Sequence, residues 1–418
     1  MTRIRKSCCS GVFGVNAIDM WRARDVFLEE VFRFSLCCRG VTIVMQVIFN
    51  LVIPDHNADA FSPPHTSPVS AGDHLTELLL GGFGRWDAEH FLFIAEHGYV
   101  YEHNMAFFPL LPLCLAGFAH GPLYPFKWML TVRSRLLLSA VILNCVWFTL
   151  AAMTLYLLGC VALQSRRSAL LAALLFCMSP ASIFMTAAYT ESLFAFSTFI
   201  GLWLLEKRKI LSGCALLALA TASRSNGLAN VGFLLHAGFK SFVSGVQHWG
   251  RLGRPCIGTV MIVLPFGLFQ YFSFFRFCQA AAVKQEVPRE LLEFALIKEY
   301  RLPGAPFPAW CSTYLPMAYS HIQNEYWGVG FLRYFQLHQF PNFLLAFPVA
   351  LLSASAIFEY IKANPQLCLS LGLKKDQVMS SSGFYGPRVF VYVAHITALV
   401  VFGVMCMHVQ VNKNSSTV

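Results

Sequence analysis

Residues 85–112 read RWDAEHFLFIAEHGYVYEHNMAFFPLLP, the one place where acids, histidines and aromatics crowd together in an otherwise apolar chain. Helical spacing from Trp86 to Glu96 sets Asp87 and His90 three apart on one face. Glu89/Glu96 and His90/His97 each repeat at seven and return to a common stripe. Phe91 and Phe93 flank that stripe, and Gly98 stops the helix. A carboxylate beside an imidazole at a membrane edge takes a proton, binds a cation, or is simply hydrated. Asp87, following Trp86 at a helix start, also suits the capping of amide groups. Glu89, Glu96 and Glu102 suit a solvated face. A metal site is weakly supported, because no HExxH or similar spacing is present.

The apolar runs around this island decide the fold class. Of 418 residues, 56% are hydrophobic and only 12% charged, about half the charge of a soluble domain. Several runs approach the ~20 apolar residues that a bilayer helix needs. The expectation is an all-α polytopic membrane protein with one membrane domain over residues 1–418. The formal net charge of +10 is spread over the N-terminal arginines, Arg166-Arg167, Lys207–Lys209, Arg251/Arg254 and Lys374-Lys375. Each group lies beside an apolar run, the positive-inside pattern of short cytoplasmic loops that also touch anionic lipid heads. No basic stripe interleaved with aromatics argues for nucleic acid. Most of the 14 cysteines, Cys145, Cys160, Cys177, Cys214 and Cys278 among them, fall within apolar runs, where a thiol is a small hydrophobe.

These signals order the chain. Residues 1–33 form a cytoplasmic tail, and Phe34–Ile53 is an uncleaved first span. Residues 54–135 form a first luminal loop holding the acidic stretch and juxtamembrane helices, with Ala106–Gly121 lying along the membrane surface. Spans follow at Leu136–Gly159, Ala169–Ala188, Ser192–Leu205, Ile210–Thr221, Gly227–Phe242, Ile257–Ala280, Phe343–Tyr360 and Val389–Cys406, about nine in all. Residues 281–340 form a second luminal loop, far longer than an ordinary connection and so expected to be functional.

On this topology three polar groups share the luminal side: Trp86–His90, Tyr189–Ser192, and Ser223–Gly227. The long loop adds Tyr326, Trp327 and Arg333. Short spans meeting at charged turns imply a pocket open to the lumen and bounded by lipid. Such a pocket suits a lipid-linked sugar donor. Sugar transfer needs a base for the acceptor hydroxyl, opposite the leaving group, and a cation for the departing phosphate. Asp87 is the candidate base and Arg224 the candidate phosphate partner, since guanidinium matches phosphate in a bidentate way. His90 and His97 are candidates to orient the base or donate to the phosphate. Trp86, Tyr189, Glu191 and Asn226 complete the candidate substrate site. Against these stand blander roles: Glu191 as a helix cap, Arg224 snorkelling at a span end, and Tyr326 and Trp327 in an interfacial aromatic belt. A lipid transporter would instead place charges at the bilayer midplane, in matching halves. A catalytically inert partner subunit is a third class.

The runs WDAEHFLFIAEHGY (86–99), YEHNMAFFP (101–109), SPASIF (179–184), YTES (189–192), SRSNG (223–227), PFGLFQY (265–271), IQNEYWGVGFLRYF (322–335) and FPNFLLAFPVA (340–350) stand in this order over nearly the whole chain. Together they resemble the second GPI mannosyltransferase family, the PIG-V type, within the GT-C superfamily. The resemblance implies a GT-C type helix bundle in the endoplasmic-reticulum membrane, with a luminal active site. It implies transfer of mannose from dolichyl-phosphate mannose to mannosyl-glucosaminyl-phosphatidylinositol, forming an α-1,6 linkage with inversion and no metal or other cofactor. By match it implies Asp87 as base, with Glu89 the rival. A GT-C enzyme adding a different mannose remains the neighbouring alternative. The family continues beyond the segment matching Met407–Val411, whereas this sequence ends in NKNSSTV, whose sequon at Asn414 is expected to stay unmodified beside the membrane.

Overall fold

A computed structural model describes residues 25–53, 60–64, 70–243, 249–279, 287–333, 335–336, 339–373 and 383–406. Most of the tail, the Lys374-Lys375 pair and the Asn414 sequon lie outside them. Among the described residues every regular element is helical. In chain order the α-helices are α1 (Val26–Val52), α2 (Ala71–Leu80), α3 (Asp87–His97), α4 (Leu110–His120), α5 (Val132–Ala162), α6 (Arg166–Cys177), α7 (Glu191–Glu206) and α8 (Ile210–Ser223). They continue as α9 (Val231–Val243), α10 (Trp249–Cys278), α11 (Arg289–Ile297), α12 (Ala318–Trp327), α13 (Phe340–Ala363), α14 (Pro365–Leu369) and α15 (Phe390–Cys406).

Five helical stretches are long and apolar enough to cross a membrane, built on α1, α5, α10, α13 and α15. Of their apolar windows, 56% is buried in α5 against 17% in α1 and 6% in α13, so α5 is the central column and α13 keeps its apolar surface for lipid. Helices α1, α6 and α7 pack on α5, and α8 packs between α7 and α10. Two backbones touch where α7 meets α8. A Cβ on Gly201 would stand 3.1 Å from the Gly213 carbonyl, and one on Gly213 2.9 Å from that of Gly201. Without a hydrophobic force between helices in lipid, such close approach is how dispersion packing is gained.

The other four expected spans are shorter, with α6 to α9 running 12, 16, 14 and 13 residues. The expectation of one continuous span over Ala169–Ala188 is corrected. Helix α6 ends at Cys177, because Pro180 has no amide to continue the ladder and disfavours helical geometry at Ser179. A 3-10 turn, Ser182–Met185, takes over. The buried Arg39 of α1 holds that turn in place. It donates to the Ser182 carbonyl and the Thr186 hydroxyl at 2.8 Å each, and to the Ser182 hydroxyl. Its guanidinium lies 3.7 Å above the Phe148 ring. The broken backbone is thereby satisfied by protein.

Cys278 is a second correction. It is disulfide-bonded to Cys311, with Cα atoms 5.5 Å apart, and so joins the end of α10 to the following loop. Helix α4 covers residues 110–120 only. It turns Leu111, Leu115 and Ala119 inward against α3 and α5 and leaves Leu113 exposed.

Candidate active site

The acidic stretch forms helix α3, and Asp87 is its first residue. The expectation that Asp87 caps the helix is corrected: the cap position is Trp86, which makes no side-chain capping bond. The Ala88 amide donates to the Arg85 carbonyl at 3.3 Å, and a distant segment reaches the same place. The Tyr189 hydroxyl, close to the first amides of α3, donates to that carbonyl at 3.4 Å. Trp86 bends the chain into the helix with φ of 59° and leaves its side chain 57% exposed. For a bulky residue, that left-handed region carries a cost of about 1–3 kcal/mol and needs the surroundings to impose it.

The turn carrying Tyr189 is anchored from several sides. Asn144 of α5 donates to the carbonyls of Ala187 and Tyr189, the latter at 3.2 Å. The Ala188 amide donates to Phe83 at 3.0 Å, and the Ser192 hydroxyl to Met185 at 2.6 Å. This fixes Glu191, the first residue of α7, in an ion pair with Arg224 at the end of α8. Glu191 is therefore not simply a cap, and Arg224 does not snorkel to an interface. The turn that follows Arg224 is possible only because residue 227 is glycine: a Cβ there would sit 2.4 Å from the Thr221 nitrogen. Asn226 lies half-buried in that 3-10 turn beside Arg224. Next to it, the Ser225 hydroxyl meets that of Tyr319 on α12 at 2.8 Å, and the Tyr319 amide donates to Gln270 of α10 at 3.0 Å.

Asp87, Glu191 and Arg224 thus converge from three separate segments. Burial pushes the Asp87 carboxyl upward, the charge of Glu191 adds to the rise, and Arg224 opposes it. A desolvated carboxylate with a raised pKa is a better proton acceptor than one in water.

Other candidates fall elsewhere. The imidazole of His90 is sandwiched between Phe61 and Phe107, with ring centroids 4.3 Å away on each side. Asn104 is its polar neighbour at 3.4 Å. Burial, with His103 adding, pushes its pKa well down, so it is a neutral packing group; the expectation that it orients Asp87 or serves a phosphate is corrected. Glu89 pairs with Arg133 of α5, and His97 lies 3.9 Å from Glu96. These groups line a separate cavity of about 360 Å³ behind α3, on the face turned away from Asp87.

Glu102 departs furthest from the solvated face expected of it. It is 2% exposed and accepts from the Trp310 indole at 2.8 Å and the Tyr326 hydroxyl at 2.9 Å. Arg301 lies 3.6 Å away. The Tyr326 hydroxyl is thereby held on Glu102 and not turned to an interface. Trp327 packs edge-on against Phe107. Arg333 is tied to Asn324 within its own loop. Sequence spacing passed over Arg133, Gln270, Tyr319 and the Cys278–Cys311 pair. A signal for the disulfide was present, in two cysteines bracketing the start of the long loop.

A broken-helix membrane bundle here gathers a desolvated carboxylate and an arginine, the pair that group transfer needs for a proton and an anionic leaving group. The family profile described as Mannosyltransferase (PIG-V) matches residues 28–416, and the chain belongs to that family. It is 48% identical over 406 residues to GPI alpha-1,6-mannosyltransferase 2 of Cricetulus griseus, covering 94% of this chain and 81% of that one. To the Homo sapiens protein of the same name it is 45% identical over 404 residues, covering 94% and 81%. To GPI mannosyltransferase 2 of Drosophila melanogaster it is 30% identical over 400 residues, covering 92% and 87%. No solved structure matches.

Proposed function

We propose that this chain adds the second, α-1,6-linked mannose to the GPI-anchor precursor at the luminal face of the endoplasmic-reticulum membrane. The donor is dolichyl-phosphate mannose and the acceptor mannosyl-glucosaminyl-phosphatidylinositol. The observation that carries this reading is the convergence of Asp87 with Arg224 and Glu191 beside the turn that Tyr189 holds through the Arg85 carbonyl.

Asp87 takes the proton of the acceptor hydroxyl as its oxygen attacks the anomeric carbon of the donor. The bond from that carbon to the phosphate oxygen breaks on the opposite face, and its electron pair leaves with the dolichyl phosphate. The β-linked donor becomes an α-linked product. Arg224 offers two parallel donors to the departing phosphate. A phosphate leaves without protonation, so one base suffices, unlike the paired carboxylates of glycoside hydrolysis. The exposed Trp86 ring stands beside the base, where an apolar face suits a pyranose or a prenyl chain. The Cys278–Cys311 disulfide supports a luminal placement of the second loop, because disulfides persist in that compartment and not in the cytosol.

The test is Asp87→Asn in microsomes supplied with radiolabelled donor and the glycolipid acceptor. Loss of a general base predicts a fall of about 10²–10⁴ in transfer at normal protein level. Transfer at the wild-type rate would remove Asp87 from the role.

A further inference from the structure

The ion pair between Glu191 and Arg224 raises a problem for the reading above, on which this inference rests. The guanidinium meant for the phosphate is already engaged. Arg224 Nη1 donates to Glu191 Oε1, with the two side chains 34% and 26% exposed. The other carboxylate oxygen of Glu191 is buried and accepts no hydrogen bond. A buried carboxylate oxygen without a donor is costly, so this pairing leaves Glu191 only half satisfied.

We propose that Glu191 is a stand-in for the donor's phosphate: it holds Arg224 in place until the donor arrives, then yields it and remains as an uncompensated negative charge beside Asp87. The exchange links donor binding to the strength of the base. While Arg224 is shared, its positive charge quiets both carboxylates. Once the phosphate engages Arg224, Glu191 repels charge on Asp87 and makes it hold a proton more avidly, at the moment when the acceptor hydroxyl must lose one. Glu191 is a positioning residue in this scheme, acting through Arg224 and Asp87. The other charged groups around α3 point elsewhere. Arg133 is engaged by Glu89 on the reverse face, and His90 is enclosed among aromatic rings. The polar group facing Asp87 from the preceding turn is the Tyr189 hydroxyl.

The experiment is Glu191→Gln in the full-length protein, assayed for mannose transfer against donor concentration and pH. An amide cannot pair with Arg224 as a charge, so the donor meets less competition. The donor KM should fall about two- to fivefold, the equivalent of a partly exposed ion pair. The kcat should fall too, and the acid limb of its pH profile should move to lower pH because the like charge beside Asp87 is gone. Both changes together support the proposal. A donor KM that is unchanged or raised, or an acid limb that does not move, overturns it, since a merely structural Glu191 would lower activity at every pH alike. If the amide variant does not accumulate, Glu191→Asp keeps the charge but shortens the reach. A lower donor KM with the acid limb in place then supports the exchange, and an unchanged or raised KM overturns it. If Glu191→Gln behaves as wild type while Asp87→Asn abolishes transfer, the exchange is wrong and the base assignment stands. If Asp87→Asn transfers normally, the catalytic reading itself has failed.

Discussion

Asp87 shows how a single position trades stability for chemistry. Its folded-state pKa is raised, chiefly by burial, so between the unfolded and folded values the native state binds more protons than the unfolded one. Stability from this group is therefore greatest in acid and is lost as pH rises through the folded pKa. Asp87→Asn is expected to raise the melting temperature while abolishing transfer, as differential scanning fluorimetry alongside the microsomal assay would show. The wild-type rate should fall on acidification through a pKa above the ordinary carboxylate range. Tyr189 works at the same scale. Its hydroxyl donates to the Arg85 carbonyl beside the start of α3, so Tyr189→Phe should cost about 1 kcal/mol of stability and depress kcat more than it changes either KM. Equal loss in all three parameters would argue against a role in aiming α3. Asp87 was legible in the sequence as a candidate base, but the contact of its helix start with Tyr189 was not, because the two lie about a hundred residues apart.

At the scale of elements, two turns and a buried acid do the positioning. The turn after α8 exists because Gly227 lets its backbone lie against Thr221 and Ala220. A methyl there meets backbone atoms that cannot move aside. Gly227→Ala should shift Arg224, raise the donor KM and lower the amount of folded protein, read by kinetics and by fluorescence-detected gel filtration. Glu102 ties the 3-10 turn Glu102–Ala106 to the second loop through Trp310 and Tyr326. Glu102→Ala strands those donors in a buried setting and should destabilise the fold by about 3 kcal/mol. Limited proteolysis of that variant should open the loop around residues 300–330 first, and unchanged cleavage would deny the clamp. Glu102 lies beyond Gly98, where the helix of the acidic stretch stops and helical spacing no longer says which way a side chain turns. Burial of an acid depends on what the partner loop brings to it, and pattern is silent on that.

For the molecule as a whole, the arrangement is a central α5 wrapped by short, broken helices, with the lipid-facing α13 packed on α15. The disulfide closes a loop of 33 residues in sequence separation, and removing it should cost about 4 kcal/mol on the chain-entropy account. With Cys278→Ser, the freed Cys311 should react with a membrane-impermeant maleimide only after microsomes are opened. Labelling of sealed vesicles would place the second loop in the cytosol and sink the luminal reading. Composition and run length alone determined that this chain is an all-α membrane protein, because apolar stretches without charge have one solvent that suits them. Local motif spacing likewise singled out Asp87, Glu191 and Arg224 as candidates. Only the tertiary structure decided that these three stand together, that His90 and Glu102 are buried away from them, and that Cys278 and Cys311 are joined. Those outcomes depend on contacts between segments far apart in sequence, where neither hydropathy nor helical period carries distance information.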